Sequence, residues 1–453
     1  MIDIASFIPK ELYEMAKLFP QQAPLYVVGG FVRDVILYGK ASDDIDITSA
    51  LTPPELAFVL KNSEFKVKPA SLRLGTMIIK GERAYEYTSF RVDSYPAGAG
   101  THAPQDVTFT RNIEKDSKRR DFKCNAVYYD ILNDRIVDPL GGLKDIENKI
   151  LSTTVDPNVV LSQDGLRIMR LARLASTHNF KVEENTYEAM IKLANRLRDI
   201  SVERITSELL KILLSDNPYI GLDLLRNTDA LKYIIPELAA CDKYPQNPKF
   251  HKYDVLEHTF KAVMYAPKKV RLAALFHDIA KPPCQEKDGN TYKHDIIGAG
   301  MTKKILTRMK FPKQIIDYTV ELVAAHMFDV ASTGRPATIR RFIATHSDNI
   351  LDIVALKKAD AKATGMVDEP AESSIMREYK ILKERNIPLK ISEMSINGKD
   401  LAAIGFKGRE IGEILDEMFD ACLIEGIKPD RESLLAYATR KKERRDGNRK
   451  SSN

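Results

Sequence analysis

Hydrophobic and polar positions change period about a third of the way along the chain. LYVVGG (25–30) is an apolar run closed by two glycines, and FVRDVILYG behind it has helical spacing. DDIDIT (43–48) alternates polar with apolar residues, as a half-buried strand does. GTMIIK (75–80) and AYEYTSFR (84–91) predict further strands, and NAVYYDI with RIVDPLGG predicts a strand pair turning at Asn133-Asp134. SYPAGAGTHAPQD (94–106) concentrates Pro, Gly and small residues and predicts a flexible loop, with Gly98 and Gly100 as its mobile points. An α+β unit therefore ends near residue 150. From about residue 160 onward, amphipathic segments divided by Pro or Gly predict helices, with no strand and no repeat of solenoid period.

Length and composition narrow the class. At 453 residues the chain has room for roughly two to four domains with substantial cores. Its 29% charged residues, 22 Gly and 22 Pro exclude a disordered or fibrous chain. Cys124, Cys241, Cys284 and Cys422 lie far apart with no CxxC pair, which argues against a disulfide framework or zinc ribbon and fits a reducing compartment. No apolar run approaches the ~18 residues of a membrane span. MIDIASFIPK lacks the basic start and long apolar stretch of a secretory signal, so a cytoplasmic protein without membrane contact is expected. The net charge of +6 says little about the folded body. Between Arg440 and Asn453 seven basic residues face Glu443 and Asp446, a net +5 that leaves +1 for everything before them. Residues 441–453 are expected to form a disordered basic tail, dispensable for catalysis.

Candidate chemistry therefore rests on placed residues. Asp44 and Asp46 are two apart in a strand pattern, so both carboxylates share one face and suit Mg²⁺, a hard cation that prefers oxygen ligands. A lone DxD is as readily a surface turn, and the context decides. Gly29 and Gly30 fall between a strand and a helix start, where backbone N–H groups can approach phosphate oxygens. Arg33 on the first turn can reach the same phosphates, with Asp34 beside it to orient the guanidinium. Arg119, Arg120 and Asp121 precede Asn125 and a strand expected in the same sheet, which places an arginine pair to neutralise a triphosphate. Glu86, on a neighbouring predicted strand, is a candidate third acid.

A second constellation is helical. Asp164, Arg167, Arg170 and Arg173 recur every three residues and form a slowly drifting stripe. This is either an exposed helix with an i,i+3 ion pair or a reading head. A carboxylate accepts and a guanidinium donates in a fixed plane, and together they can offer a cytosine or adenine edge the pattern of a pairing base. A third constellation orders His258, His277-Asp278 and Asp360 as H…HD…D on helix-like segments. Neutral imidazoles with carboxylates suit a divalent ion, and His294 and His326 are placed to bind a second metal or a phosphate.

GGFVRD (29–34), DIDIT (44–48) and RRDFKCNA (119–126) resemble the signatures of the class II tRNA nucleotidyltransferases, which include CCA-adding enzymes and bacterial poly(A) polymerases of the polymerase β-like superfamily. The resemblance continues through DGLRIMRLAR (164–173), SVERITSELLKIL (201–213) and ISEMSINGKDLAAIGFKGREIGEIL (391–415), nearly the whole chain. It implies a nucleotidyltransferase head over 1–150, a helical neck over 151–245, an HD domain over 246–365 and a helical region over 366–440 that holds the tRNA body. It further implies two Mg²⁺ ions on Asp44 and Asp46, base reading by Asp164 and Arg167, and support or triphosphate contact by Arg170 and Arg173. The implied activity is template-independent addition of CMP and AMP, from CTP and ATP, to the tRNA 3′ end with release of pyrophosphate.

The 258–360 region resembles the HD phosphohydrolases, which implies a divalent metal of unspecified identity and phosphoester hydrolysis. The chain departs from the family's patterns at Gln163, where Glu is usual, and at Lys123 and Cys124 within RRDFTINA. The loop between Arg91 and Val107 also lacks the family's Asp-Gly-Arg, which bears on addition of the final A. CC-adding, A-adding and poly(A) polymerases of the same family are the near alternatives. A phosphohydrolase with an inactive, RNA-holding head is the alternative of another class.

Overall fold

The computed structural model describes residues 3–95, 104–330 and 333–450, so Gly98 and Gly100 of the expected flexible loop lie outside the described residues. The chain divides into two compact units, one over 1–240 with 308–310 and the other over 241–307 with 311–453.

The first unit opens with the strands β1 Tyr26–Val28, β2 Asp46–Ser49, β3 Lys66–Ser71, β4 Thr76–Lys80 and β5 Ala84–Ser89. It continues with β6 Arg91–Ser94, β7 Asp106–Phe109, β8 Tyr128–Asp130 and β9 Arg135–Val137. Seven of these build one sheet in the order β3-β4-β5-β2-β1-β8-β9, and within it only β2 and β5 run parallel. Tyr26–Val28 is buried throughout, as a central strand covered on both faces must be. The run AYEYTSFR breaks at Phe90: β5 stays in the large sheet, whereas β6 pairs with β7 in a separate ribbon.

Behind the sheet come the helices Pro157–Gln163, Leu166–His178, Glu184–Leu193, Val202–Leu214 and Pro218–Asn227. The helix Leu166–His178 buries ten of its thirteen residues between Val202–Leu214 and Pro218–Asn227. A strand was not expected in this region, yet Lys181–Val182 (β11) pairs in parallel with Ile150–Leu151 (β10). Two residues are too few to leave an alternation in the sequence.

Every described element of the second unit is helical. The HD motif residues sit on or beside Val255–Tyr265, Arg271–Phe276, His294–Arg308, Lys313–Ala325 and Ile350–Ala363. The later helices Ser374–Glu384, Gly398–Ile404 and Arg409–Asp420 share one apolar core with Pro336–Thr345, built on residues such as Ile339, Ile375, Leu401 and Met418.

The expected disordered tail needs correction, because Arg431–Lys450 is a single helix. Leu434 and Ala438 anchor it in that core. Its basic residues meet the acidic face of Arg409–Asp420. Lys441 lies 3.0 Å and Arg445 2.8 Å from Glu417, with Arg445 also 3.7 Å from Glu413 and Lys442 4.0 Å from Glu410. A charge run that looks solvated in isolation finds its counter-charges at i, i+3 and i+7 on the preceding helix. No helix among the described residues is long and apolar enough to cross a membrane.

Candidate functional site

The carboxylate pair lies where β1 turns into the helix Gly30–Tyr38. Ile45 and Ile47 are buried at 5% and 1% exposure, whereas Asp46, the first residue of β2, and Asp44, just before the strand, are exposed. Val28 pairs with Asp46, and Asp46 stands in register with Glu86 on β5. Gly29 has φ 84°, and a Cβ there would stand 3.5 Å from the Asp46 carboxylate, so the backbone closes on that acid at a position only glycine takes without strain. Desolvation first, then Asp44 and Glu86, pushes the Asp46 carboxyl up to about 6, with Arg120 and Arg170 pulling the other way. Among the described residues none of the three acids is held in an ion pair. Mutually repelling, unpaired carboxylates gathered at the start of β2 are a donor set that a divalent cation relieves.

The arginines are built in from beneath. Arg33 is 6% exposed; its Nε and one terminal nitrogen hold Asp34 at 2.8 and 2.7 Å, and the other reaches Asn125 Oδ1 at 2.5 Å. Arg119 and Arg120 share Asp116, a fully buried carboxylate that the sequence reading missed. Asp121 accepts from its own Phe122 N–H and from the Asn125 amide, and its second oxygen meets Arg170 at 2.6 Å.

The Asp164–Arg173 stripe is therefore not a solvated face. Arg170 pairs with Asp121, and Arg173 lies 3.1 Å from Glu208 of the SVERITSELL segment. Asp164 and Arg167 do not pair with each other. Asp164 takes the Leu166 N–H at 3.0 Å and Arg204 at 3.3 Å, while Arg167 donates to Val160 O, Gln163 Oε1 and Arg119 O at 2.9, 3.1 and 3.2 Å. Gly165 between them is held by close approach, since a Cβ would stand 2.5 Å from the Arg196 carbonyl. Glu208 and Arg204 were also missed; their only trace in the sequence is the charged ERITSE pattern at i and i+4.

His178 closes the network behind Arg33. The Tyr38 hydroxyl and His178 Nδ1 share a hydrogen bond of 2.9 Å, and His178 Nε2 lies 3.9 Å from Asp34. Burial, then Arg33 and Arg173, depresses it to about 3, so it is neutral in the folded protein. Below the unfolded value near 6.5 the unfolded chain binds a proton that the fold refuses, so stability falls with acid from about 6.5 to about 3, by up to ~1.4 kcal/mol per pH unit. Urea unfolding at pH 7 and pH 5 checks this. His178→Phe is expected to show a pH loss smaller than the parent's by about 1–2 kcal/mol, and identical losses would contradict a neutral His178.

The second unit holds the H…HD…D set together with two further histidines. His258 Nε2 lies 3.2 Å from His277 Nε2, 3.3 Å from Asp278 Oδ2 and 3.0 Å from Asp360. The other Asp278 oxygen faces His294 Nε2 at 3.2 Å and His326 Nε2 at 3.9 Å. The Nδ1 atoms of His277, His294 and His326 meet the carbonyls of Ala274, Thr291 and Val323 at 2.8, 2.7 and 2.7 Å. That contact fixes the Nδ1–H tautomer and leaves each Nε2 lone pair pointing inward. Two groups of ligand atoms converge, His258-His277-Asp278 and Asp278-His294-His326, with Lys281 Nζ 2.6 Å from Asp278 Oδ2. Inward-facing imidazole nitrogens around a shared carboxylate are a donor set that fits a divalent ion. Asp278→Ala is expected to lower the divalent metal bound per chain by at least one equivalent, read by elemental mass spectrometry, with the fold retained. Full retention of metal would remove Asp278 from the ligand set.

Residues 25–152 match the Poly A polymerase head domain, 179–242 the probable RNA and SrmB-binding site of polymerase A, and 254–352 the HD domain. The chain is 30% identical to the CCA-adding enzyme of Ligilactobacillus salivarius, covering 91% of each chain. It is also 30% identical to the CC-adding tRNA nucleotidyltransferase of Thermus thermophilus, over 92% of this chain and 94% of that one. The crystal structure of the Bacillus stearothermophilus CCA-adding enzyme with CTP shares the fold at a TM-score of 0.68 and 24% identity, covering 97% of this chain and all of that one. With the carboxylate cluster, the arginine network and the histidine centre in place, the chain belongs to the tRNA nucleotidyltransferase family of CCA-adding enzymes, in the form that carries an HD domain behind its polymerase head.

Proposed function

We propose that this chain completes tRNA 3′ ends in the cytoplasm by adding CMP and AMP from CTP and ATP, without a nucleic-acid template and with release of pyrophosphate. The observation that carries the reading is the exposed group of Asp44, Asp46 and Glu86, closed on one side by Gly29 and backed by buried arginines. Asp44 and Asp46, with Glu86 as a third acid, would hold two Mg²⁺ ions, which would supply charge stabilisation for the transfer. Arg33, Arg119 and Arg120 neutralise the triphosphate, and the backbone at Gly29 and Gly30 lets it approach. Asp121 and Asn125 fix Arg170 and Arg33. Asp164 and Arg167 read the base, and Arg173 is steadied by Glu208.

Cytosine and adenine both present an amino donor beside a ring-nitrogen acceptor, whereas uracil and guanine present the reverse. One carboxylate with one guanidinium therefore accepts the first two and rejects the others. The tRNA body is held through shape and phosphate contacts by the neck and by the helical region over 366–440. Relatives named CCA-adding and CC-adding stand at the same identity, and the retained Asp164 and Arg167 support selection of both C and A. His258, His277, Asp278 and Asp360 hold a separate divalent ion.

The test uses metal-stripped protein, tRNA lacking its CCA end and either labelled CTP or unlabelled CTP with labelled ATP. Label is expected to enter tRNA only when Mg²⁺ is restored. Phosphate release without incorporation would instead favour the hydrolase reading.

A further inference from the structure

We propose that Asp116, buried behind Arg119 and Arg120, is the positioning residue that sets the arginine pair for the triphosphate. The proposal rests on the assignment of Arg119 and Arg120 to that group. Asp116 lies in the helix Ile113–Lys118 at 0% exposure, and both its oxygens are committed. Oδ1 accepts from Arg119 Nε at 2.7 Å and from the Arg91 backbone N–H at 3.2 Å. Oδ2 accepts from the Tyr128 hydroxyl at 2.7 Å and from Arg120 Nε and a terminal nitrogen at 3.3 and 3.2 Å. The two arginines follow Asp116 by three and four residues, the spacing that returns side chains to one face of a helical turn. Tyr128 completes the clamp from β8: its hydroxyl also accepts from Arg120 Nε at 3.0 Å, and the guanidinium lies over its ring, 5.1 Å from the centroid.

Charge explains why this carboxylate is needed. Neighbouring buried guanidinium groups repel each other and carry a desolvation cost, and a single shared anion offsets both. Burial alone would raise the Asp116 carboxyl, but Arg120 and Arg119 outweigh it and keep the group ionised below the ordinary range. Arg91 and Asp93 add a second pair at 2.8 Å beside Arg119, so three arginines stand against two carboxylates. The cluster is left one positive charge in excess, and a polyphosphate is the ligand that answers it. Asp116 thereby aims two guanidinium forks in advance of binding, which saves the nucleotide from ordering them.

The experiment compares Asp116→Asn, Tyr128→Phe and Arg119→Ala with Arg120→Ala in the full-length protein. It measures KM and kcat for CTP, inhibition by inorganic tripolyphosphate, and thermal unfolding. Asp116→Asn is expected to raise the CTP KM and the tripolyphosphate inhibition constant together by about tenfold or more, the scale of a charge-assisted contact, with kcat within about threefold. Tyr128→Phe keeps the ring and the charge, so a smaller parallel rise of about two- to fivefold is expected; it decides the matter if the asparagine variant does not fold. Folded variants with unchanged KM and tripolyphosphate inhibition, or a fall in kcat alone, would overturn the role of Asp116. If the double arginine variant also leaves both constants unchanged, the assignment of the arginine pair fails instead.

Discussion

Replacing Asp46 by Asn is expected to lower single-turnover CMP incorporation on the order of 10³-fold, the scale of removing one preorganised electrostatic element from a polar transition state. The substitution keeps the volume and removes only the charge. Ile45 and Ile47 hold the strand in the sheet whichever residue stands at 46, so the fold survives. Asp46 is the acid most exposed to the field of the others, with Asp44 and Glu86 both raising its proton affinity, and it is the one that Gly29 approaches. tRNA binding, which we assign to the neck and the later helices, is expected to stay within about threefold. Incorporation within tenfold of the parent would remove Asp46 from the metal site.

The second large effect is on choice rather than speed. Arg167→Ala is expected to narrow the preference for CTP over UTP by about 10- to 100-fold, the ~1–3 kcal/mol that one bidentate base contact supplies. Asp164 keeps its two holds, the Leu166 N–H and Arg204, so the carboxylate stays in place as an acceptor while the donor is lost. Arg167 meets Gln163 through a neutral amide where the family usually places a carboxylate, so its charge is not spent on that neighbour. Competition between CTP and UTP on a tRNA ending before its first C reads the ratio directly. A ratio unchanged in the folded variant would move base selection elsewhere, and Arg204 would be the next residue to test.

The carboxylate pair was legible because the buried Ile45 and Ile47 flank Asp46 and leave it and Asp44 exposed; that β2 begins only at Asp46 and buries Thr48 was not legible, because a central strand covered on both faces loses its alternation. The histidine centre was legible because its residue types are rare and their order is distinctive; the structure adds Asp278 as the acid shared between two ligand groups. Asp116 stayed hidden because its role depends on burial, and EKDSKRRD reads as a solvated charge run. The direction of the Asp164–Arg173 stripe was equally hidden. Period three fixes that these side chains align, but only the partners Asp121 and Glu208 reveal that they face inward. The basic C-terminal run misled for the same reason, since its counter-charges lie on the helix Arg409–Asp420 rather than beside it in sequence. Of the seven basic residues counted in that tail, Lys441, Lys442 and Arg445 meet Glu410, Glu413 and Glu417, so this part of the charge belongs to the fold.

Product length on tRNA lacking its 3′ end tests the central claim most directly. With Mg²⁺ present, CTP alone is expected to add two residues, ATP alone none, and CTP with ATP three, ending in A. Two residues with both nucleotides present, a single A added only to tRNA already ending in CC, or a long A tract would contradict the assignment of complete CCA addition to this chain.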